Sequence, residues 1–319
     1  MKVALVHNPS AGKSDSSTGD LISLLARAGH QAVSVDLCDD LVGHPKIQGV
    51  DLVAVAGGDG TVRKVALQFA HRPQLLTLLP IGTANNVAKS LGIAGKPEEV
   101  IAHWNKARRT GIDLGLVQGP WGRRLFLEGI GLGLVGRSIA IIEEIDELSS
   151  REFKDPEDKL QRDLAVFLAL AHELPTTRIG CQIDGQDRTN DFLLLEILNI
   201  RHAGPRIELA SRARPDDGQL NVVMVTAHDR PELKEALKKV FTDFQHRHLL
   251  RSQIARTARL ELTCGELRID DEVVLDSGKI QQISKDRPVV VEISIQPGAL
   301  QMLLPHTQSL DAPDLSEKT

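Results

Sequence analysis

The chain has 319 residues, of which 41% are hydrophobic and 25% charged, and its formal net charge at pH 7 is −5. This composition indicates a soluble globular protein with room for two domains, and the negative charge gives no general basis for binding nucleic acid. The three cysteines have no metal-ligand spacing, and no apolar run reaches the roughly 18 residues of a membrane span, so we expect a cytoplasmic protein that contacts membranes only peripherally.

The first third of the chain alternates short apolar runs with segments of helical periodicity. The predicted strands are Lys2 to His7, Gln31 to Leu37, Asp51 to Ala56 and Leu75 to Ile81, and the predicted helices are Asp20 to Ala28, Val62 to Ala70, Asn85 to Leu91 and Pro97 to Lys106. Strands flanked by helices predict a Rossmann-like parallel sheet that is covered on both faces. We therefore assign residues 1–112 to an α/β domain.

From Thr110 onward, strand-like segments dominate and turns such as Asp184-Gly185 separate several of them. The predicted strands are Ile112 to Val117, Leu125 to Ile130, Arg178 to Ile183, Phe192 to Leu198, Leu220 to Thr226, Arg259 to Thr263, Leu267 to Leu275 and Val289 to Ile295. This pattern predicts a mainly antiparallel β-sandwich over residues 113–295. Two helical insertions interrupt it, at Gly136 to Leu174 and at Pro231 to Leu250.

The sharpest local signal is the motif GGDGT at Gly57 to Thr61, which ends a predicted strand and precedes a helix. Glycines allow the backbone to approach a phosphate closely, and the first turn of a helix offers free N–H groups. Asp59 can hold Mg²⁺ or orient a nucleophile, and Thr61 can cap the helix or contact phosphate. The alternative is a plain tight turn, which Asp-Gly forms routinely.

Two further polar turns follow predicted strands. NPSAGK, at Asn8 to Lys13, follows the first strand, and PIGTANN, at Pro80 to Asn86, follows the fourth. Neither is a Walker A loop. Because open α/β sheets bind ligands at the carboxyl ends of their strands, the three turns together predict one shared phosphate site.

These three loops resemble the signature loops of the diacylglycerol kinase catalytic-domain family, which contains bacterial lipid kinases related to sphingosine and ceramide kinases and, distantly, to NAD kinases. The resemblance continues through Asp113-Leu114-Gly115, Ala213 to Leu220 and Ile269 to Glu272. It implies a nucleotide-binding first domain, a lipid-binding sandwich and a cleft between them. It also implies that residues 296–305 return to complete the first domain, while the polar tail 306–319 is expected to be disordered.

The resemblance implies roles for individual residues. The residues implied to bind the nucleotide are Asn8, Gly57, Gly58, Asp59, Gly60, Thr61, Gly82, Thr83 and Asn85. Asp59 is also implied in catalytic geometry, and Glu272 as the general base that takes the proton of the attacking lipid hydroxyl. Asp217, with the backbone carbonyls of Arg214 and Gln219, is implied to bind a structural Mg²⁺.

The chain departs from the family pattern at several positions. Arg63-Lys64 stands where the family usually has Asn-Glu, Asp271 stands where it has a glycine, and Glu128 replaces a frequent Asn. Losing the glycine at Asp271 restricts the turn that aims Glu272. These departures bear on nucleotide preference and catalytic efficiency and leave the fold prediction unaffected.

We therefore predict an ATP- and Mg²⁺-dependent kinase of a lipid hydroxyl, such as that of diacylglycerol, working at a membrane surface and without nucleic acid. One alternative is a nucleotide- or lipid-binding protein of the same fold that has lost turnover. Another is an NAD kinase, against which the Arg63-Lys64 pair speaks. Exposed sheet edges permit a homodimer.

Overall fold

The computed structural model of the protein describes residues 1–8, 17–148, 156–204, 206–242, 250–285 and 287–305. The predicted disordered tail, most of the NPSAGK loop and the end of the predicted helix Pro231 to Leu250 lie outside the described residues.

A parallel sheet forms the first part of the chain. Its strands are β1 (Lys2–His7), β2 (Gln31–Asp36), β3 (Leu52–Gly57) and β4 (Leu75–Pro80), and its helices are α1 (Thr18–Arg27), α2 (Asp59–Gln68), α3 (Asn86–Ser90) and α4 (Pro97–Ala102). The strand order is β4-β3-β1-β2, with every pair parallel. Strand β3 is buried along its whole length, as expected for a parallel strand covered on both faces. The α/β prediction is confirmed.

The second part is antiparallel, as predicted. Its strands are β5 (Arg108–Gly119), β6 (Gly122–Phe126), β7 (Gly129–Gly133), β8 (Thr177–Ile183), β9 (Gln186–Asp187), β10 (Asn190–Leu198), β11 (His202–Ala203), β12 (Ile207–Glu208), β13 (Leu220–Thr226), β14 (Ser252–Ala255), β15 (Thr257–Leu262), β16 (Leu267–Ile269), β17 (Glu272–Leu275) and β18 (Val289–Leu304). Its helices are α5 (Leu134–Leu148), α6 (Pro156–Glu173), α7 (Arg230–Thr242) and α8 (Ser277–Ile283). Central strand β10 pairs antiparallel with β7, β8 and β13.

Strand β18 joins the two sheets. Residues 289–294 pair antiparallel with β15, whereas Gln301 and Met302 pair parallel with Leu75 and Leu76 of β4. Leu300 and Met302 are buried in the core of the parallel sheet. The two parts of the chain are therefore connected by one continuous hydrogen-bonded path, which fixes their orientation around the space between them.

Two predicted strands are wrong because a turn interrupts each of them, and the two turns contact each other in the fold. The segment Leu125–Ile130 leaves β6 after Phe126 and enters β7 at Gly129, and Leu267–Leu275 is a hairpin of β16 and β17. Its turn contains Asp270, whose backbone is left-handed with φ of 53°. That conformation reverses the chain and is incompatible with one extended strand.

The break between β6 and β7 is held by a carboxylate that is distant in sequence. Asp270 accepts hydrogen bonds from the amides of Leu127 (3.2 Å), Glu128 (2.8 Å) and Gly129 (3.2 Å). Leu127 and Glu128 belong to neither strand, so the carboxylate provides an acceptor for amides that the ladder does not serve. The two interruptions therefore stabilise each other.

Candidate active site

The three polar loops lie side by side at the carboxyl ends of neighbouring parallel strands. The register places His7 of β1 opposite Ala56 of β3. The Asn8 side-chain amide donates to the Thr61 hydroxyl oxygen at 3.0 Å, and the Asn8 backbone N–H donates to the Ala56 carbonyl at 3.2 Å. The first and second loops are thus joined at the edge of the sheet, while Pro9 to Lys13 lie outside the described residues.

The glycines of the second and third loops are required by packing as well as by any ligand. A Cβ atom on Gly82 would lie 2.3 Å from the Gly58 Cα, and one on Gly57 would lie 2.6 Å from the Thr61 Cβ. Distances this short are not possible between atoms that are not bonded, so the second and third loops approach as closely as they do because position 82 is glycine, while Gly57 leaves room for the Thr61 side chain.

The first turn of α2 is able to bind an anion. Among the described residues, no group accepts a hydrogen bond from the amides of Asp59, Gly60 and Thr61. Gly60 is exposed, and α2 is ten residues long. Free N–H groups at the positive end of a helix dipole suit a phosphate, so these residues fit the nucleotide phosphates that the sequence implies.

Asp59 links the second loop to the third. Its carboxylate accepts a hydrogen bond from the Val87 amide, in the first turn of α3, at 2.9 Å. Burial raises the pKa of Asp59, while hydrogen bonds from the amides of Val87, Asn86 and Asn85 oppose that rise. Asp59 thus fixes the relative positions of two phosphate-facing loops and also lines the space in front of them.

The third loop is also held by the second domain. Asn85 is left-handed, with φ of 51°, and its side chain bonds both the amide (3.0 Å) and the carbonyl (2.7 Å) of Gly82. The Arg206 guanidinium donates to the Thr83 carbonyl at 3.0 Å, and the Asn86 side chain donates to the Gly204 carbonyl at 3.0 Å. The turn between β11 and β12 therefore fixes this loop from the opposite side.

A cleft of about 710 Å³ lies between the loops and the second domain. It is lined by Asp59, Arg63, Thr83, Ala84, Asn86, Glu128, Ser138, Ile139, Ile142, Glu143, Asp146, Lys159, Leu160, Asp163, Gly204, Arg268, Asp270, Asp271 and Glu272. One end is polar and contains the loops and several carboxylates. The other extends along α5 and α6, where Ile139, Ile142 and Leu160 add apolar surface among the charged side chains of Glu143, Asp146, Lys159 and Asp163.

Three buried carboxylates meet at the polar end, namely Asp59, Glu128 and Asp270. Burial raises the pKa of Glu128 well above its usual range, and the neighbouring Asp59 and Asp270 carboxylates raise it further. Burial also raises the pKa of Asp270, although its three amide hydrogen bonds act in the opposite direction. This end of the cleft therefore holds carboxyl groups that keep a proton to a higher pH than ordinary carboxyl groups do.

Two arginines lie beside these carboxylates and are paired with other groups. The guanidinium of Arg268, which is 2% exposed, forms an ion pair with the fully buried Glu196 and donates to the Asp270 carbonyl. Arg63 forms an ion pair with Asp271. Arg63 and Asp271 both depart from the family pattern, and the structure pairs them with each other.

Glu272, the general base implied by the sequence, lies at the rim of the cleft. Its side chain is 57% exposed and accepts a hydrogen bond from the Arg124 guanidinium at 2.6 Å. That contact lowers the pKa of Glu272, which makes the carboxylate a weaker base. Its catalytic role stays a prediction.

Hydrogen bonds order the loop that carries the implied structural metal site. Asp217 accepts from the Gln219 amide at 2.9 Å, and Asp113 accepts from the amides of Gly218 and Gly298, both at 2.7 Å. Among the described residues, no group of three or more His, Cys, Asp or Glu side chains is arranged to hold a metal ion. The set of Asp217 with the Arg214 and Gln219 carbonyls stays a prediction.

Sequence reasoning did not assign Glu128, Asp270 or Arg268 to the site. Glu128 was noticed only as a departure from a family pattern. Glu128 is a charged residue inside an apolar strand-like run, and a charge in such a position is retained only with a specific partner or function. Arg268 and Asp270 stand among other charged residues and carry no such signal.

A parallel sheet with an anion-binding edge, facing an antiparallel domain across a cleft, defines a two-domain phosphate-binding protein. Residues 2–117 match the family described as "Diacylglycerol kinase catalytic domain", and residues 151–304 match the one described as "YegS C-terminal NAD kinase beta sandwich-like domain". The first part of the chain is thus similar to the diacylglycerol kinase catalytic domain, and the second to the sandwich domain of the same kind of protein, which confirms the resemblance seen in the sequence.

Curated relatives carry the name "Probable lipid kinase YegS-like". The one from Stenotrophomonas maltophilia is 32% identical over 195 residues, which are 58% of this chain and 58% of the relative. The one from Pseudomonas putida is 32% identical over 191 residues, which are 59% of this chain and 60% of the relative. The chain spans about three fifths of the length of these curated relatives.

A crystal structure of a diacylglycerol kinase from Bacillus anthracis str. Sterne has a TM-score of 0.68 with this protein. The identity is 20%, and the similarity covers 96% of this chain and 97% of that chain. Both domains of the fold are therefore shared. Within the part of the chain that the structure describes, no helix is both long and apolar enough to cross a membrane.

Proposed function

We propose that this protein is a lipid kinase that transfers the γ-phosphoryl group of ATP to a hydroxyl group of a lipid such as diacylglycerol. The observation that carries the proposal is the two-ended cleft. Its polar end adjoins the free amides of α2, and its other end has the apolar side chains of α5 and α6. The names of the curated relatives support the same activity.

The loops act by holding the phosphates of ATP in a fixed position. The first-turn amides of α2 hold the phosphate oxygens, and Asp59 keeps the third loop at a fixed distance from them through the Val87 amide. When bound, Mg²⁺ would supply neutralisation of the charge on the transferring group. The Asp217 loop is the place where the chain would hold a separate structural Mg²⁺.

The lipid hydroxyl enters from the opposite end of the cleft. Ile139, Ile142 and Leu160 offer apolar contact to the part of the acceptor next to its hydroxyl group. Such an acceptor resides in a bilayer, so the protein works at a membrane surface that it contacts peripherally. Lys234 and Lys238, on α7, add positive charge that favours an anionic surface.

The proposal is tested with labelled ATP, Mg²⁺ and micelles of diacylglycerol, monoacylglycerol, phosphatidylglycerol, ceramide or sphingoid base, with NAD as a separate acceptor. We expect label in a lipid. Label only in NADP would instead support an NAD kinase. No label anywhere, with ATP still raising the melting temperature, would support a binding protein without turnover.

The sharpest variant is Asp59→Asn, which keeps an oxygen for the Val87 amide but removes the charge. We expect kcat to fall by at least about 100-fold while the melting temperature changes little. Asp191→Asn is the matched control, because Asp191 is an exposed carboxylate that pairs with Arg178 far from the cleft. Equal activity in the two variants would contradict the assignment of Asp59.

A further inference from the structure

We propose that Arg63 leaves its ion pair with Asp271 when ATP binds and holds the γ-phosphate, an inference that rests on the proposed kinase function. Arg63 lies on α2, one helical turn beyond the first-turn amides that suit a phosphate. Residues three and four apart on a helix share a face, so Arg63 lies on the same face as Gly60 and Asp59. Asp59 and Arg63 both line the cleft.

The partner of Arg63 also lies close to the phosphate site. Asp271 belongs to the turn between β16 and β17, in the second domain. One of its carboxylate oxygens would lie 3.6 Å from a Cβ atom on Gly60, so this carboxylate lies beside the first turn of α2. Phosphates bound at that turn would repel the carboxylate and attract the guanidinium. ATP binding therefore favours a phosphate over Asp271 as the partner of Arg63.

The change of partner costs little because Asp271 is exposed to solvent. Its side chain is 55% exposed, so water solvates the carboxylate once the ion pair opens. Ion pairs between exposed groups contribute little to stability. The guanidinium of Arg63 gains from the exchange, because its paired N–H donors match the oxygens of a phosphate and form charge-assisted hydrogen bonds with them.

The other two Lys and Arg side chains that line the cleft are placed differently. Arg268 is 2% exposed and pairs with the fully buried Glu196, which would be left as an unpaired buried charge if Arg268 moved to a ligand. Lys159 lies on α6, away from the loops, and pairs with Asp146. Among the described residues that line the cleft, Arg63 is therefore the cation that is placed to bind a phosphate.

The position of Arg63 across from the second domain indicates which phosphate it binds. Its charge is close enough to the carboxylates of Glu128, Asp270 and Glu272 to interact with each of them. These three residues belong to the opposite wall of the cleft. Because the transferring phosphate must lie between the α2 amides and the acceptor, it is the phosphate nearest to this wall. A guanidinium there favours ATP over ADP and stabilises the charge of the transferring group.

The binding test compares Arg63→Gln, Arg63→Lys and Asp271→Asn in the full chain by calorimetric titration with ATP or ADP in the presence of Mg²⁺. We expect Arg63→Gln to weaken ATP binding by about 10- to 100-fold, and ADP binding by less than about threefold. Arg63→Lys keeps the charge without the paired donors and should lie between Arg63→Gln and the wild type. Asp271→Asn removes the competing carboxylate and should tighten ATP binding by about two- to fivefold.

The opposite signs of these effects separate a phosphate-binding role from a structural one. An ion pair that only joined the two domains would be lost in Arg63→Gln and in Asp271→Asn alike, and both variants would bind ATP less tightly. Equal losses in the two variants would therefore overturn the proposal, as would equal losses of ATP and ADP affinity in Arg63→Gln. If Arg63→Gln did not fold, Arg63→Lys and Asp271→Asn would still decide the question by the same two comparisons.

Lys64→Gln is the matched control for the loss of one positive charge. Lys64 is the next residue of α2 and pairs with Asp39 in a separate pocket that both residues line. Its removal should change ATP affinity by less than about threefold, because solvent and salt screen an exposed charge that does not touch the ligand. A loss in Lys64→Gln as large as that in Arg63→Gln would contradict a specific contact at Arg63.

Binding and turnover distinguish failure of this inference from failure of the kinase function. If the wild type binds ATP but phosphorylates no acceptor, the kinase function fails, and the affinities of the variants still decide the role of Arg63. If the wild type phosphorylates a lipid and Arg63→Gln keeps its ATP affinity, the inference about Arg63 fails alone. A wild type that does not bind ATP would contradict both.

Discussion

At the scale of single residues, buried titratable groups cluster around the third loop. His202, on β11, lies with its Nδ1 atom 3.2 Å from the Ser90 hydroxyl oxygen of α3. Burial lowers the pKa of His202 to about 4, and the positive charges of Lys89 and Arg201 act in the same direction. In the folded protein His202 therefore stays neutral down to about pH 4, whereas in the unfolded chain it begins to bind a proton near pH 6.5.

This difference predicts a loss of stability in acid. The unfolded state binds a proton at His202 near pH 6.5, whereas the folded state does so only near pH 4. The unfolded state thus gains protons first, and the free energy of unfolding falls by about 3 kcal/mol from this residue between pH 7.5 and 4. Between pH 7.5 and 4, the free energy of unfolding of His202→Gln, measured with urea, should fall by about 3 kcal/mol less than that of the wild type. Parallel pH dependences of the two proteins would contradict the assignment.

At the scale of elements, the close contact between the second and third loops requires glycine at position 82 but not at position 58. A Cβ on Gly82 would lie 2.3 Å from the Gly58 Cα, but a Cβ on Gly58 would lie 3.4 Å from the Gly82 Cα, which is near ordinary contact. Alanine substitutions at positions 82 and 58 therefore test the same loop contact from its two sides.

We expect Gly82→Ala to force the two loops apart, to cost about 1–3 kcal/mol of stability and to weaken ATP binding by tenfold or more. Gly58→Ala should cost much less in both respects. Thermal melts and calorimetric titration with ATP measure the two effects. An equal response to the two substitutions would show that the close approach is not what the glycines serve.

Elements that depend on local pattern could be predicted from the sequence, and those that depend on distant contacts could not. Strands β1 and β13 begin and end at the predicted residues, Lys2–His7 and Leu220–Thr226. Helix α8 (Ser277–Ile283) and strand β14 (Ser252–Ala255) were missed, because each is short and neither has a strong periodicity. The interruptions at 127–129 and at Asp270 were missed because the carboxylate and the amides that it binds are more than 140 residues apart.

The same limit applies to the site. The three loops were found because each follows an apolar strand directly, and the order of parallel strands brings them together. Glu128 and Arg268 reach the cleft through the antiparallel register of β7, β10 and β16, which no local pattern specifies. The sequence therefore predicted the phosphate-facing half of the cleft better than the half that faces the acceptor.

At the scale of the whole molecule, β18 determines how the two halves meet. The pattern predicted a strand over Val289 to Ile295, and the resemblance implied that residues 296–305 return to the first domain; one strand continues to Leu304 and pairs with β4. Since β5 follows β18 through most of that length, with a bulge between Gln296 and Leu300, the two sheets share a rigid seam. The cleft is thus a feature of the fold, with the three loops on one wall and side chains of the antiparallel part on the other.

We propose that the γ-phosphoryl group of ATP is transferred to a lipid hydroxyl in this cleft. Phosphorus NMR of the protein with ATP, Mg²⁺ and mixed micelles containing diacylglycerol tests it directly. We predict a new lipid phosphomonoester signal that grows in step with ADP and is lost in Asp59→Asn. Release of inorganic phosphate without a lipid phosphomonoester, or ATP that stays intact with every lipid acceptor, would contradict the account.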